Sequence, residues 1–338
     1  MKLKSKDSSI DLEKEVFNIE NEPMPNGAWW YWLWLFFFNN PKNPEIPRQL
    51  MILWSTKKER EIECNNLKLN INHSNNRNKL DGAVAAWYFD GERMHHNFLL
   101  EQCNINILEN KLFSSSSIPT SFLIEKDKSI VKIGKDFEFF AKTKNEHNFT
   151  KPVHRLHKYI GNKGYSIIEI RKMHLNGQAE GKPIYGSAYF QRVFFNMPYP
   201  SWYWGIFHFD NGNILTYLNP YLFRKSIRKK ITFFDGKCLH EFNNMSVKKI
   251  SKENTNIFKV SGENEHEKIN FNVNSYSHTS WTFRKKSFGI IPNKLVYNQY
   301  PAIISEFKLA NKKNGEKIIL EDLGKSVGNA EHGVGLLL

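Results

Sequence analysis

The chain has 338 residues, 40% of them hydrophobic and 24% charged, with a net charge of +14. That is globular composition, long enough for two domains of ordinary size. The basic balance raises nucleic acid or anionic membrane as partners, but runs such as Arg228-Lys229-Lys230, Arg284-Lys285-Lys286 and Lys312-Lys313 sit beside turn residues without a nucleic-acid-binding motif. They read as solvated loop charge, which leaves no nucleic-acid partner and a weak attraction to membrane that would suit peripheral association.

Residues 1–22 are charged throughout and lack the apolar stretch of a signal peptide, so they read as a flexible tail. Pro23, Pro25, Asn26 and Gly27 then turn the chain into Trp29-Trp30-Tyr31-Trp32-Leu33-Trp34-Leu35-Phe36-Phe37-Phe38. Aromatic density of this kind favours a pleated, buried strand. Alternation puts Trp30, Trp32, Trp34 and Phe36 on one face and Trp29, Tyr31, Leu33, Leu35 and Phe37 on the other. Both faces are apolar and both need cover, as in a wall shared between a lined cavity and a second packed layer. The apolar run from Ala28 to Phe38 is 11 residues, against ~20 for a spanning helix. Cys64, Cys103 and Cys238 lie far apart with no C-x-x-C spacing, which fits a reducing compartment. The chain reads as cytoplasmic.

Leu50-Met51-Ile52-Leu53-Trp54 is a second buried strand. Asp81-Gly82, Asp90-Gly91, Asn211-Gly212, Asp235-Gly236 and Asn314-Gly315 are hairpin signals between alternating apolar runs. No segment shows sustained helical periodicity, so helices should be few. The polar, His-rich stretch ending in Gly161-Asn162-Lys163-Gly164 reads as a domain boundary. An internal repeat supports two halves. Tyr88-Phe89-Asp90-Gly91 leading to His95 matches Phe233-Phe234-Asp235-Gly236 leading to His240, and Trp30-Tyr31-Trp32 matches Trp202-Tyr203-Trp204 in the same order. His95 and His240 recur at equivalent places, so they share a structural role. His208 stands where the first half has Phe36, on the strand face of Trp202, Trp204 and Ile206.

Little conventional chemistry is written here. His95-His96 would point to opposite faces of a strand, and no carboxylate or thiol cluster lies near His154 and His157, so no metal is expected. There is no G-x-S-x-G, P-loop or dinucleotide fingerprint. What remains is aromatic surface with a few acids. A carboxyl group desolvated by tryptophans stays protonated near neutrality and can protonate an alkene. The aromatic faces then stabilise the cation by ~2 kcal/mol when dry. The candidate acids are Glu169, Asp210 and Glu331, with surface placement as the alternative for each.

Trp29-Trp30-Tyr31, Gly164-Tyr165 with Glu169, Gly186-Ser187-Ala188-Tyr189, and Trp202-Tyr203-Trp204 leading to Asn211-Gly212 resemble the double-lipocalin family. That family includes carotenoid 1,2-hydratase (hydroxyneurosporene synthase), tocopherol cyclase and the lipocalin-like Diels–Alderases. The resemblance covers about residues 25–338. It implies an all-β fold of two tandem antiparallel lipocalin-like (calycin) barrels, and cofactor-free addition, cyclisation or isomerisation of isoprenoid chains. Members often carry an acidic residue directly before the paired tryptophans. Here that position is Ala28.

The expected organisation is a flexible tail (1–22), a first barrel (23–150), a linker (151–163) and a second barrel (164–338). The expected activity is that of a hydratase, cyclase or isomerase on a long apolar isoprenoid-type substrate, without cofactor or metal. A carrier that holds the same hydrophobic ligand unchanged is the alternative. Glu169, His208, Asp210 and Glu331 are the catalytic candidates: Glu169 or Asp210 would donate the proton, and His208 would orient it or activate water. Trp30, Trp32, Trp34, Trp87, Tyr88, Tyr189, Gln191, Trp202 and Trp204 are the candidate ligand-binding residues.

Overall fold

The computed structural model describes residues 12–18, 27–58, 61–70, 78–143, 153–160 (backbone alone), 163–222, 225–251, 255–287 and 291–337. The first half contains helix α1 (Leu12–Phe17) and strands β1 (Trp29–Phe38), β2 (Arg48–Lys57), β3 (Ile62–Cys64), β4 (Leu67–Leu69), β5 (Lys79–Phe89), β6 (Met94–Leu108), β7 (Lys111–Ser114), β8 (Thr120–Glu125), β9 (Lys128–Ile133), β10 (Phe137–Lys142), β11 (Val153–Ile160), β12 (Lys163–Ala179) and β13 (Lys182–Asn196). The second contains β14 (Ser201–Phe209), β15 (Ile214–Leu222), β16 (Lys225–Ser226), β17 (Lys230–Phe234), β18 (Leu239–Phe242), β19 (Asn244–Ser251), β20 (Asn256–Glu263), β21 (Glu267–Ser275), β22 (Thr279–Ser287), β23 (Ile291–Asn311), β24 (Lys317–Ile319), α2 (Leu320–Leu323) and β25 (Ser326–Leu336). The protein is all-β, and no described helix is long and apolar enough to cross a membrane.

Ten strands close into a first barrel in the order β10-β9-β8-β7-β6-β5-β2-β1-β13-β12, with β12 pairing back to β10. The aromatic strand β1 sits between β2 and β13. Its alternation works as expected. Trp30, Trp32, Trp34, Phe36 and Phe38 point into the barrel, while Trp29, Leu33, Leu35 and Phe37 pack outward against the second half. The second sheet runs β18-β17-β15-β14-β25-β23-β21-β20-β19 and curls around its own core, which includes Phe207, Tyr217, Phe233, Phe271 and Tyr300. The β3–β4 hairpin leaves the first half to pair with β22 of the second sheet, so the halves interlock.

Two expected boundaries move. β11, in the expected linker 151–163, is a strand paired along its whole length with β12. The β12–β13 hairpin, assigned from the sequence to the second barrel, closes the first. The crossover falls at 197–200. A strand's sheet is decided by its partners, and β1, the partner that ties β13 to the first sheet, lies more than a hundred residues upstream. The expected flexible tail also contains structure: Val16 and Phe17 of α1 are buried in the first barrel, where the Trp32 indole donates to the Val16 carbonyl at 2.9 Å. Residues 1–11 and 19–26 lie outside the described residues.

Four of the five expected hairpin signals sit at turns. There Gly91, Gly212, Gly236 and Gly315 take positive φ, which glycine adopts without a Cβ penalty. Asp81-Gly82 instead lies inside β5, where a Cβ on Gly82 would meet the Ser55 carbonyl oxygen at 2.4 Å. Close approach of β2, not a turn, explains that glycine.

The histidine repeat is structural, as expected. In each hairpin one aspartate oxygen (of Asp90 or Asp235) accepts from two backbone amides, and the other contacts the histidine: His95 at 2.8 Å and His240 at 3.1 Å. These hairpins also fix the correspondence between the halves. Phe36 connects through Leu50 and Tyr88 to His95, and Phe207 through Leu215 and Phe233 to His240. The counterpart of Phe36 is therefore Phe207, and that of His208 is Phe37. The tryptophan match is out of phase by one residue, which exchanges the two faces of the strand. Trp30 and Trp32 face inward, whereas Trp202 and Trp204 pack on the outward face of β1.

Candidate active site between the barrels

The outward faces of β1, β12 and β13 meet those of β14, β23 and β25, and buried carboxyl groups stand at this contact. Glu331 is 5% exposed. It sits opposite Trp204 on β14 and opposite Gln299 on β23. The Tyr297 hydroxyl donates to Oε1, and the Trp202 indole donates to Oε2 at 3.1 Å. Burial pushes the Glu331 carboxyl up to about 7, and these two donors hold it from going higher. Around it, burial raises the phenols of Tyr297, Tyr31 and Tyr189 well above the ordinary range and that of Tyr199 to about 12. Every phenol there keeps its proton at neutral pH. The Tyr31 and Tyr199 hydroxyls lie 3.1 Å apart.

Gly333 makes part of this geometry possible. A Cβ there would meet the Trp202 ring at 2.2 Å, so the indole lies over bare backbone, where its N–H reaches Glu331. Gly333→Ala should displace that ring and cost about 1–3 kcal/mol. Trp202→Phe, which removes only the donor, should move the Glu331 titration upward. Carbon-13 NMR of labelled glutamate would read both variants.

Glu169 occupies the corresponding place on the first barrel. Its cross-strand partner is Gln191, as that of Glu331 is Gln299. Counting from Phe36 and Phe207, Gln191 is the counterpart of Glu331 and Glu169 that of Gln299. The two barrels thus present the same Glu–Gln pair with the strands exchanged. Glu169 is ion-paired with Arg171 at 3.3 Å. The Tyr189 hydroxyl lies 3.1 Å from Glu169 Oε1 and 2.9 Å from Gln191 Oε1, and donates its one proton to either. Tyr189 is charge-coupled to both Glu169 and Glu331, and its ring lies 5.4 Å from that of Trp204. Tyr31, Gln191, Tyr199, Trp202 and Trp204 are only partly buried, so solvent touches the edge of this aromatic contact, termed the crevice below. Beside it lies an apolar cavity of about 30 Å³, lined by Trp29, Leu53, Cys64, Ala85, Trp281 and Phe283 among others. The Trp281 ring is 6.2 Å from that of Tyr297.

The other sequence candidates fall elsewhere. His208 faces the interface, where its ring meets that of Phe37, but both its nitrogens are committed. Nε2 lies 2.7 Å from the Arg171 carbonyl, so it carries the proton and donates, and Nδ1 accepts from Ser187 Oγ at 2.7 Å. This braces one barrel against the other and leaves no nitrogen free to orient an acid or activate water. Burial, helped by the charge of Lys172, pulls the His208 pKa down to about 3. The unfolded chain takes up this proton near pH 6.5 and the folded protein only near 3. His208 should therefore remove stability as pH falls through that window, by several kcal/mol in all. His208→Asn should flatten the acid limb of a urea-melt series. Asp210 is exposed at the turn after β14, where it accepts from the Lys325 amide at 3.3 Å, and it takes no part in the crevice.

Trp30, Trp32 and Trp34 lie away from the crevice. They are fully buried inside the first barrel, with Trp34 in ring contact with Phe36, Phe122 and Phe190 and Trp30 with Trp32 and Phe194. Tyr88 belongs to the same core, with its hydroxyl 3.3 Å from Glu180. Trp87 is in the interface, fully buried, with an indole N–H that has no partner among the described residues. Of the expected ligand-binding residues, Tyr189, Gln191, Trp202 and Trp204 come together at the crevice. Sequence reasoning missed Tyr31, Tyr199, Tyr297 and Gln299. The alternation Tyr297-Asn298-Gln299, next to an acid-bearing strand, was the available signal.

No protein-family model matches the chain, and no curated protein matches its sequence. Its fold is similar to the crystal structure of an AttH candidate from Nitrosomonas europaea, with a TM-score of 0.51 and 10% identity over 98% of both chains. A crystal structure of kievitone hydratase from Nectria haematococca aligns with a TM-score of 0.42 and 10% identity, over 94% of this chain and 91% of that one. The first likeness extends over the whole double barrel, and the chain has the lipocalin-like β-barrel fold that its aromatic motifs led us to expect.

Proposed function

We propose that the chain is a cofactor-free lyase or isomerase that adds water to, cyclises or shifts a double bond in an apolar, isoprenoid-type substrate bound in the crevice between the barrels. The observation that carries this reading is the Glu331 carboxyl, buried among aromatic rings with its pKa near 7. A carboxyl group that keeps a large share of its proton near neutral pH is a proton donor.

Glu331 transfers its proton to one carbon of the double bond, and the π electrons form the new C–H bond. The cation left on the other carbon faces Trp202, Trp204 and Tyr297, whose π-faces stabilise it by ~2 kcal/mol each where water is excluded. The Tyr297 and Trp202 hydrogen bonds stabilise the carboxylate that forms. In hydration, water attacks the cation and Glu331 takes the proton that water loses. In isomerisation or cyclisation, Glu331 takes a proton from a neighbouring carbon. Either route returns the acid to its starting state. Gln191 and Glu169, held by Tyr189 and Arg171, face the crevice from the other barrel and can orient a hydroxyl on the substrate.

The test is incubation of the purified protein with isoprenoid polyenes in deuterated water. Product carrying one non-exchangeable deuterium per turnover supports the reading. A polyene that is bound and recovered without deuterium marks the chain as a carrier instead.

A further inference from the structure

The inward face of the second barrel carries a separate cluster that the proposed reaction does not use. Lys249 on β19 reaches across the sheet to Tyr300 on β23. Its Nζ donates to the Tyr300 hydroxyl at 2.7 Å and lies 4.8 Å from the centre of that ring. No carboxylate among the described residues makes an ion pair with it. Around it stand groups that can donate or accept hydrogen bonds but bring no negative charge. His332 lies flat on Tyr203, with ring centres 4.2 Å apart, and its Nε2 is 3.0 Å from the Tyr221 hydroxyl. His278 stacks on Tyr300 at 4.7 Å and lies 3.2 Å from Asn298. Burial first, and then the charge of Lys249, pull the His332 pKa down to about 4 and lower that of His278 too. Both rings are therefore neutral at physiological pH, and the ammonium is the one charge in the group.

A second observation comes from β15. Asn219 is 91% buried, since 9% of it is exposed. It sits directly opposite Tyr203, on the same face as Tyr217 and Tyr221. Among the described residues its side-chain carbonyl has no hydrogen-bond partner, and neither does the Tyr217 hydroxyl one pleat deeper. Buried polar atoms are nearly always partnered. The Asn219 acceptor, the Tyr217 hydroxyl and the ammonium at Tyr300 all face the interior of the second barrel, where a ligand carrying a hydroxyl and an anionic group would pair them. Gly205 belongs to this arrangement, because a Cβ there would meet the Tyr217 ring at 2.4 Å.

We propose that this end of the second barrel is an oxyanion site, in which Lys249 pairs with a carboxylate or phosphate and Asn219 accepts a hydrogen bond from a hydroxyl of the same ligand. A charge-assisted hydrogen bond to an ammonium that is partly withdrawn from water is stronger than its exposed equivalent. The aromatic stack of Tyr221, Tyr203 and His332 gives the rest of the ligand a flat apolar wall. The site lies on the opposite face of β14 and β25 from Glu331, so its occupancy and the crevice chemistry can be tested separately.

Isothermal titration of the full chain with inorganic phosphate, decanoate and decanol tests this. Phosphate or decanoate should bind while decanol does not, and Lys249→Met should weaken binding at least tenfold. Lys249→Arg should retain it, and Glu331→Gln should leave it unchanged. Phosphate binding without decanoate binding identifies a free-anion site, and the reverse an amphiphile site. Both support the proposal. Binding of neither anion below about 1 mM, equal affinity for decanol and decanoate, or unchanged affinity in a folded Lys249→Met protein would overturn it. A wild-type protein that binds the anion but turns over no polyene would count against the Glu331 chemistry alone.

Discussion

Glu331→Gln should reduce turnover by about 10²–10⁴-fold, the usual contribution of a positioned general acid, while leaving substrate affinity nearly unchanged. The amide keeps the shape of the carboxyl group but has no proton to give. The pH profile provides the sharper reading. Wild-type activity needs the neutral acid, so it should fall as pH rises through about 7, where the buried carboxyl ionises. Stability should follow the same group in the same direction. The folded-state pKa lies above that of a free glutamate, so the unfolded chain releases this proton first as pH rises. The contribution of Glu331 is therefore complete below about pH 4.5 and is lost on the way to about pH 7, roughly 3 kcal/mol in all. Glu331→Gln removes this pH dependence. The variant should be inactive and yet no less stable than the wild type at about pH 8, as shown by urea melts at several pH values. An active variant, or a wild-type profile that stays flat to about pH 9, would mean the proton comes from elsewhere.

How far this site could be read from the sequence depended on which interactions were local. The strand Trp29–Phe38 and the hairpins at Asp90 and Asp235 were legible because alternation and turn chemistry are written in adjacent residues. Glu331 was legible only as one of three candidate acids, behind Glu169 and Asp210 as proton donor. Its activating surroundings were not, because Tyr297, Trp202 and Trp204 reach it through pairings of β25 with β23 and β14, and register leaves no trace in sequence when the strands are far apart. The boundary was misplaced for the same reason: the partner that draws β13 into the first barrel is β1. The one-residue phase error between the two tryptophan motifs had a larger consequence. It aligned His208 with Phe36, an inward residue, whereas its true counterpart Phe37 meets it across the interface, with the rings 5.3 Å apart and edge-on. That contact explains why His208 is a brace: the same strand position from each barrel meets at the seam, and the polar one must find partners there.

Trp34→Ala should destabilise the first barrel by about 3–5 kcal/mol, and should leave ligand affinity and turnover unchanged at temperatures where the variant is folded. The indole is fully buried between Phe36, Phe122 and Phe190. Its removal loses both the transfer free energy of the ring and the contacts of the rings around it, which cannot all collapse into the space. The orphaned indole N–H of Trp34 returns a little, because a buried donor without a partner carries a desolvation cost that alanine does not. An apolar void of that size stays dry and accepts small aromatic molecules. Benzene or indole added at many times its dissociation constant should therefore recover part of the loss in a thermal melt, in proportion to the logarithm of its concentration. The wild type should show no such rescue. The opposite pattern, with Trp34→Ala folded at near wild-type stability but unable to bind an isoprenoid, would make the first barrel a lined pocket and move the chemistry away from Glu331. The stacking of Trp34 on Phe36, with ring planes 3° apart, and of Phe36 on Phe139 at 4.0 Å argues for a core: rings in contact on both faces leave no surface to offer a substrate.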